Sequence, residues 1–409
     1  MAGFEKASVR DAEVEGKRVL VRADLNVPLE GGSNPPRRRS GEGGEMVVAD
    51  DARIRAVLPT LELLRDRGAS VLVCSHLGRP QGEDPKLSMR PVAERVGELL
   101  SVEAPLAPGV VGDEVAAAAK ELGPGGLLVL ENSRFEPGET DNDPKLAKAL
   151  ARLADLYVND AFGSSHRAHA STEGVAHELP AYAGLLLERE LSELGRVRDD
   201  PKRPLVIVLG GAKVTDKVGV IDRFLGFAEE ILIGGAMCFS IFKAEGRDTG
   251  ESLVEAEGVE VAQRVLADAE GGDSLLELPE DLVLGRAFDA DTEVRELNGV
   301  DVPEGWMGLD IGANTAANYA KRIGRAGTVF WNGPMGAFEL DPFAAGTRRV
   351  AEAVAEAPGH TVVGGGDSGA ALAEFGLADR VDWLSTGGGA SLEFVEGREL
   401  PGLEVLPDA

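Results

Sequence analysis

The stretch VVGGGDSGAA, Val362–Ala371, sets two β-branched residues before three glycines, then an acid, a hydroxyl and an alanine-rich run. It reads as strand, glycine-rich turn and helix start, the arrangement with which α/β proteins hold phosphates. The acid at Asp367 stands where an anion would sit, and any reading of the chain has to account for it.

The same pattern recurs outward from this stretch. KRVLVRADLN, ASVLVCSH, GLLVLENSRF and ADLYVNDAF are short apolar runs in the first half, and PLVIVLGGAK, EILIGGAM, TVFWNGP, TVVGGGD and VDWLSTGGGA follow in the second. Apolar runs without alternation, separated by helical patterns, predict parallel sheets covered on both faces. Two such sets predict an α/β chain of two doubly wound Rossmann-like domains. The expected division is residues 1–185, with a returning tail of about 395–409, and residues 186–394. Ala181 to Pro204 reads as one amphipathic helix joining the two, a candidate hinge. Glu30 to Glu45, EGGSNPPRRRSGEGGE, has glycine, proline and charge without period and reads as a solvated loop; its Arg37–Arg39 run is the one feature that suggests an anionic ligand.

Seventy acids face 42 Lys+Arg, a net charge of −28, and only 11 of the 42 are lysine. Such a surface repels nucleic acid and anionic membranes. Molar salt shortens the screening length to about 3 Å, so the acidity fits a halophilic host. No segment is apolar for long enough to span a bilayer. Cys74 and Cys238 sit in apolar runs and read as buried thiols in a reducing cytoplasm.

Ligands of open parallel sheets bind beyond the carboxyl ends of the strands. In the first half those ends carry Arg22, Asp24 and Asn26, then His76 and Arg79, then Arg134, then His166, Arg167 and His169. Guanidinium groups match phosphate and carboxylate bidentately. Basic groups at four strand ends of an acidic chain therefore predict a small polyanion. His166 and His169 lack a Cys or carboxylate at ligand spacing, which argues against zinc. The second half gathers glycine turns and two lysines, Lys213 and Lys217 in LGGAKVTDK, expected on one face of a helix's first turns. No GxxxxGK[ST] occurs, which excludes a P-loop.

Three readings of GGGDSG compete. Gly364, Gly366 and Gly369 satisfy GxGxxG, but a carboxylate inside a dinucleotide fingerprint repels pyrophosphate. An NAD-dependent dehydrogenase is the alternative this motif would support. GDSG matches a nucleophile segment of chymotrypsin-like proteases, whose fold is all-β. The third reading gives Asp367 a Mg²⁺ ion shared with nucleotide phosphates. A helix N-cap role for Asp367 is compatible with it.

RADLNVP, DDARIRAVLPT, SHLGRP, LENSRFEPGE, YVNDAFGSSHRAHAST, LGGAKVTDK, GWMGLDIG, TVFWNGPMGAFE, GGGDSGAA and STGGGASLEFVEGRELPG occur in this order. With these blocks the chain resembles the phosphoglycerate kinase family along nearly its whole length, in an acidic, haloarchaeal-like form. The resemblance implies that the N-terminal domain binds 3-phosphoglycerate or 1,3-bisphosphoglycerate and the C-terminal domain binds Mg²⁺ with ATP or ADP. It implies Asp24, Asn26, Arg53, His76, Arg79, Arg134 and Arg167 for the acid substrate. For the nucleotide it implies Gly211, Ala212, Lys213, Lys217, Gly235, Asn332, Pro334, Glu339, Gly365, Gly366, Asp367 and Ser368, with Asp367 as the metal ligand. Arg53, Lys213 and the Gly366 amide are the expected catalytic groups, and a monomer without nucleic-acid or membrane partners is expected. The chain departs from the family in the length of Glu30–Glu45, in Ser368 where Thr is more usual, and in Ser133 where Val is commoner.

Overall fold

The computed structural model describes residues 6–31 and 46–409. Residues 32–45, with Arg37–Arg39 and most of the segment read as a loop, lie outside the described residues. Two compact units account for the rest: the residues up to Ser192 together with Glu399–Ala409, and Glu193–Arg398.

The first unit holds β1 (Arg18–Ala23), β2 (Leu29–Gly31), β3 (Met46–Val48), β4 (Ser70–Cys74), β5 (Leu127–Val129), β6 (Leu156–Asp160) and β7 (Ala181–Ala183), with helices α1 (Ala52–Asp66), α2 (Arg90–Leu100), α3 (Asp113–Glu121) and α4 (Pro144–Ala151). Its five-stranded sheet is parallel, in the order β5-β4-β1-β6-β7. β2 and β3 pair antiparallel on either side of residues 32–45. Val19, Val21, Val71 and Val73 pack with Ile54, Val57 and Leu61 of α1 and with Val92 and Val96 of α2. The alternate residues Leu20, Leu72 and Tyr157 are buried as well. A strand covered on both faces has no polar side to alternate with, which is why these runs are continuously apolar.

Helix α5 (Leu185–Asp199) runs from the first unit into the second. It does not begin at Ala181, as the amphipathic pattern predicts. Ala181–Ala183 is the edge strand β7, paired with β6, and Gly184 separates it from the helix. Helix begins where its orphan amides find an acceptor: Asp160 Oδ1, at the end of β6, accepts from the N–H of Leu186 at 2.9 Å and Leu187 at 3.1 Å. Burial pushes the Asp160 carboxyl up to about 7.

The second unit holds β8 (Leu205–Leu209), β9 (Glu230–Ile233), β10 (Leu275–Glu277), β11 (Leu282–Gly285), β12 (Val294–Leu297), β13 (Met307–Ile311), β14 (Thr328–Asn332), β15 (His360–Gly364) and β16 (Trp383–Leu384). Its helices are α6 (Val218–Phe224), α7 (Met237–Ala244), α8 (Ala256–Glu270), α9 (Ala313–Ile323), α10 (Ala345–Glu356), α11 (Gly366–Glu374) and α12 (Gly389–Val395). A six-stranded parallel sheet runs β10-β9-β8-β14-β15-β16, and a small antiparallel sheet runs β12-β11-β13. The core of the unit is built around Trp331, fully buried on β14 among Val206, Val208, Tyr319, Val350 and Val354.

Counted in chain order within each unit, the two parallel sheets have strand orders 3-2-1-4-5 and 3-2-1-4-5-6. Both are the Rossmann order, whose direction of winding reverses beside the first strand. The crevices lie at β1/β6 in the first unit and β8/β14 in the second.

Candidate functional site

At the first crevice the backbone leaves β1 through Arg22 and Asp24, and the side chains converge there. Arg22 is 1% exposed. Its Nε donates to Ser171 Oγ at 2.8 Å, its Nη1 to the carbonyl of Ala23, and its Nη2 lies 3.1 Å from His76 Nδ1. Arg53, in the first turn of α1, pairs with Asp24 at 2.9 Å. Asn26 Oδ1 accepts from the Gly78 N–H at 2.8 Å, and Arg134 Nη1 donates to the Gly78 carbonyl. Arg79 and Arg167 are exposed.

The basic groups of this crevice stand close enough to perturb one another. Burial and the charges of Arg22 and Arg167 push the Arg134 pKa down, with Glu139 opposing. Arg134 Nε is buried without a hydrogen-bond partner. Burial, then Arg22, pushes His76 down to about 3 against the pull of Asp24, and burial brings His169 to about 4. Burial raises the Asp24 pKa, but the positive groups around it (His76 when protonated, Arg53 and Arg22) outweigh this and hold it low. Cations that depress one another's basicity become more stable when a polyanion enters.

Two residues here escaped the sequence reading. Glu139, 1% exposed, accepts from the Ser171 amide at 3.1 Å, from the Ser171 hydroxyl and from the Ser133 hydroxyl at 3.2 Å. The serine at 133, unusual against the family pattern, thus has a defined partner. The signal for Glu139 and Ser171 was faint, because neither lies at a strand end.

At the second crevice three glycine turns stack on one another. Gly210 and Gly211 follow β8, Gly234 and Gly235 follow β9, and Gly333 follows β14. The Gly211 N–H donates to Pro334 O (2.9 Å), that of Gly235 to Met335 O (3.0 Å) and that of Met237 to Gly211 O (3.0 Å). The Gly211 and Gly235 amides therefore tie the turns together. Their glycines are needed for close approach: a Cβ on Gly235, where φ is +65°, would lie 2.5 Å from Gly211 O.

These turns floor a cavity of about 460 Å³. Gly211, Ala212, Gly235, Pro334, Glu339 and Asp367 line its polar part, while Phe239, Leu253, Phe288, Met307 and Leu309 supply apolar walls. A volume and lining of this kind suit a flat heterocycle with a charged tail. Asp310 also lines it; burial pushes its carboxyl up to about 8, and Oδ2 accepts from the Gly346 N–H at 2.6 Å. The sequence reading quoted Asp310 within GWMGLDIG but gave it no role.

Other expected residues stand beside the cavity. Lys213 is exposed, and Lys217 donates to Asn332 Oδ1. Burial lowers the Lys217 pKa, with Asp216, Asp367 and Glu396 opposing. The two lysines do not share a helix face, because α6 begins only at Val218. Thr215 ties the preceding turn to Glu255 through its amide (3.2 Å) and its hydroxyl. Gly365, with φ +95°, is the N-cap of α11; Asp367 lies inside the first turn and makes no cap bond. The Ser368 hydroxyl accepts from the Gly333 N–H at 2.6 Å and so joins α11 to the turn after β14. Gly366 has open space around it.

Comparison with known proteins decides the family. The model of the family described as phosphoglycerate kinase matches residues 9–398. A phosphoglycerate kinase of Rubrobacter xylanophilus is 53% identical over 406 residues, 99% of each chain. That of Chloroflexus aurantiacus is 50% identical over 412 residues, 99% of this chain and 100% of its own. The solved phosphoglycerate kinase of Coxiella burnetii superposes with a TM-score of 0.85 at 37% identity, and that of Pyrococcus horikoshii with 0.82 at 32%, each covering 98% of both chains.

The chain belongs to the phosphoglycerate kinase family.

Its two parallel sheets each have a switch-point crevice, at β1/β6 and at β8/β14. The described residues contain no cluster of three or more His, Cys, Asp or Glu side chains able to cage a metal. Asp367, one of four carboxylates lining the glycine-floored cavity with Glu251, Asp310 and Glu339, fits an ion whose remaining ligands are phosphate oxygens and water. Cys74 and Cys238 are free and buried, and burial pushes Cys74 up to about 12 and Cys238 higher, so both are inert thiols. Among the described residues no helix is long and apolar enough to cross a membrane.

Proposed function

We propose that this chain transfers a phosphoryl group reversibly between ATP and the carboxylate of 3-phosphoglycerate, with the acid at the arginine crevice of the first unit and the nucleotide in the cavity of the second. The observation that carries this reading is the pairing of a cationic crevice holding Arg22, Arg53, His76 and Arg134 with a mostly apolar, glycine-floored cavity.

The nucleophile needs no general base. A carboxylic acid has a pKa of about 4 and is ionised at neutral pH. The barrier is instead electrostatic, since negative groups must meet in line while charge spreads over the transferring phosphoryl. Arg53 from one unit and Lys213 from the other would stabilise that charge, together with the Gly366 amide at the N-terminus of α11. Arg79, Arg134, Arg167, Asn26 and His76 would hold the acid, and Lys217 the nucleotide phosphates. Asn332 Nδ2, buried without a partner, has a donor to give a nucleotide oxygen. When bound, Mg²⁺ would add positive charge across the phosphate oxygens, held by Asp367.

Because the two sites belong to different units, the reaction requires a closure that brings phosphate and carboxylate to about 3–3.5 Å. Helix α5 and the returning segment after Arg398 are the natural hinges. We further assign the protein to the cytoplasm, as a monomer without nucleic-acid or membrane partners.

A coupled assay with 3-phosphoglycerate, MgATP, the downstream dehydrogenase and NADH tests the reading, and NADH consumption that needs both substrates is the expected result. A protein that binds NADH itself, by fluorescence titration, and shows no such turnover would be a dehydrogenase instead. Asp367→Ala should chiefly weaken Mg-nucleotide binding, measured by calorimetry. Unchanged affinity would remove Asp367 from the metal.

The net charge of −28 is the ground for proposing a salt requirement. Thermal unfolding followed from dilute buffer to molar KCl should show a rising midpoint as screening relieves self-repulsion. A flat profile would leave the acidity without a halophilic meaning.

A further inference from the structure

We propose that Arg22 is a positioning residue, fixing His76 as a neutral imidazole with its single proton on Nε2 and so setting the sign of what that ring offers an anion. The inference rests on the reading of His76 as part of the acid-substrate site.

A guanidinium has five N–H donors and no acceptor. Arg22 Nη2 lies 3.1 Å from His76 Nδ1, so Nδ1 must present its lone pair. A neutral ring whose Nδ1 accepts carries its proton on Nε2. That N–H donates to a carboxylate or phosphate. The opposite tautomer would offer the same anion a lone pair, which repels it.

Arg22 is itself held so that it cannot turn away. The Ser171 hydroxyl accepts from Arg22 Nε and passes its own hydrogen to Glu139, which also takes the Ser171 amide. Nη1 is tied to the carbonyl of Ala23. Arg22 is 1% exposed and His76 6%, so water has little access to loosen the arrangement. The charged groups acting on the ring are Arg22 on β1, Asp24 just beyond it, Arg53 on α1 and Arg134 after β5. Three of these four are cations that disfavour an imidazolium, and only Asp24 favours one. The ligand-free site thus has a neutral N–H donor set among its arginines.

The test uses the full-length, ligand-free protein with ¹⁵N-labelled histidine. Long-range ¹H–¹⁵N correlation reports each ring nitrogen, with His76→Gln assigning the signal. The expected pattern is a bare Nδ1 and a protonated Nε2, unchanged from about pH 5 to about pH 8, across the range where an ordinary histidine titrates. A protonated Nδ1, in either the other tautomer or the imidazolium, overturns the proposal.

Arg22→Met should release the ring to titrate or change tautomer. It should also raise KM for 3-phosphoglycerate on the order of tenfold, the loss of one hydrogen bond to a charged group, with kcat largely kept. Arg22→Lys, which keeps a donor, should restore much of both. A bare Nδ1 that Arg22→Met leaves unaltered would overturn the role of Arg22. An altered ring with unchanged KM would remove His76 from the substrate site, whereas failure of the activity reading itself would appear as absent turnover in the wild-type coupled assay.

Discussion

Replacing Lys213 or Arg53 with alanine should lower kcat on the order of 10²–10³-fold, the scale seen when one preorganised donor to a transition-state charge is lost. The two residues differ in surroundings, and the difference separates their controls. Lys213 is exposed in the turn after β8, so its loss disturbs no packing. Arg53 pairs with Asp24 at 2.9 Å, and its removal also leaves a carboxylate beside Arg22 and His76. Arg53→Lys keeps the charge while losing the planar fork, and should fall between wild type and alanine. Single-turnover rates with both substrates saturating, alongside circular dichroism of each variant, separate chemistry from folding. An Arg53→Ala enzyme near the wild-type rate would take Arg53 out of the transition state.

Gly235→Ala should destabilise the second unit by about 2–5 kcal/mol, combining roughly 1–2 kcal/mol of left-handed backbone strain with about 1–3 kcal/mol of overpacking. At this position φ is +65°, and an added Cβ would lie 2.5 Å from Gly211 O and 2.8 Å from Pro334 O. The obstacles are main-chain atoms of two neighbouring turns, which cannot swing aside as a side chain would. The turns would have to separate, and with them the cavity floor that Gly211, Gly235 and Pro334 form. Urea unfolding should show a lowered midpoint, and ATP affinity should fall with it. Gly366→Ala is the contrast, because nothing lies within 4 Å of a Cβ there and the backbone is helical. Equal stability of Gly235→Ala and Gly366→Ala would contradict the close stacking of the turns.

The nine strands read from the sequence are all strands, for one physical reason. Each central parallel strand is buried on both faces, and a run such as LVIVL of β8 has no other use in a chain this acidic. The pieces that were missed have weak signals for the converse reason. β7, β10 and the β2/β3 pair are three residues long. β10 and β12 carry Leu275 at 45% and Val294 at 43% exposure, so they bury too little to leave an apolar run. The start of α5 was misplaced because its acceptor, Asp160, lies 26 residues away in sequence.

The candidate site residues are legible where they follow strand ends, as at His76, Arg134 and Gly211, or lie near one, as at Arg22. They were illegible where a residue acts through another. Nothing local marks Glu139 as the group that steadies Ser171, or Asp310 as the group that ties α10 to the cavity wall. Such roles exist only once the chain has folded and brought distant partners together.

The return of Glu399–Ala409 to the first unit has a consequence for how the protein is made. Asn159 donates to the carbonyl of Gly402 at 2.8 Å, the Gly402 amide bonds Ser165 O at 2.9 Å, and Lys6 pairs with Asp408 at 2.9 Å. These partners emerge from the ribosome only after all of Glu193–Arg398. The unit translated first is therefore completed last, and a nascent chain stalled near residue 398 would carry an unsealed Asn159 and an exposed seat for Leu403 and Leu406.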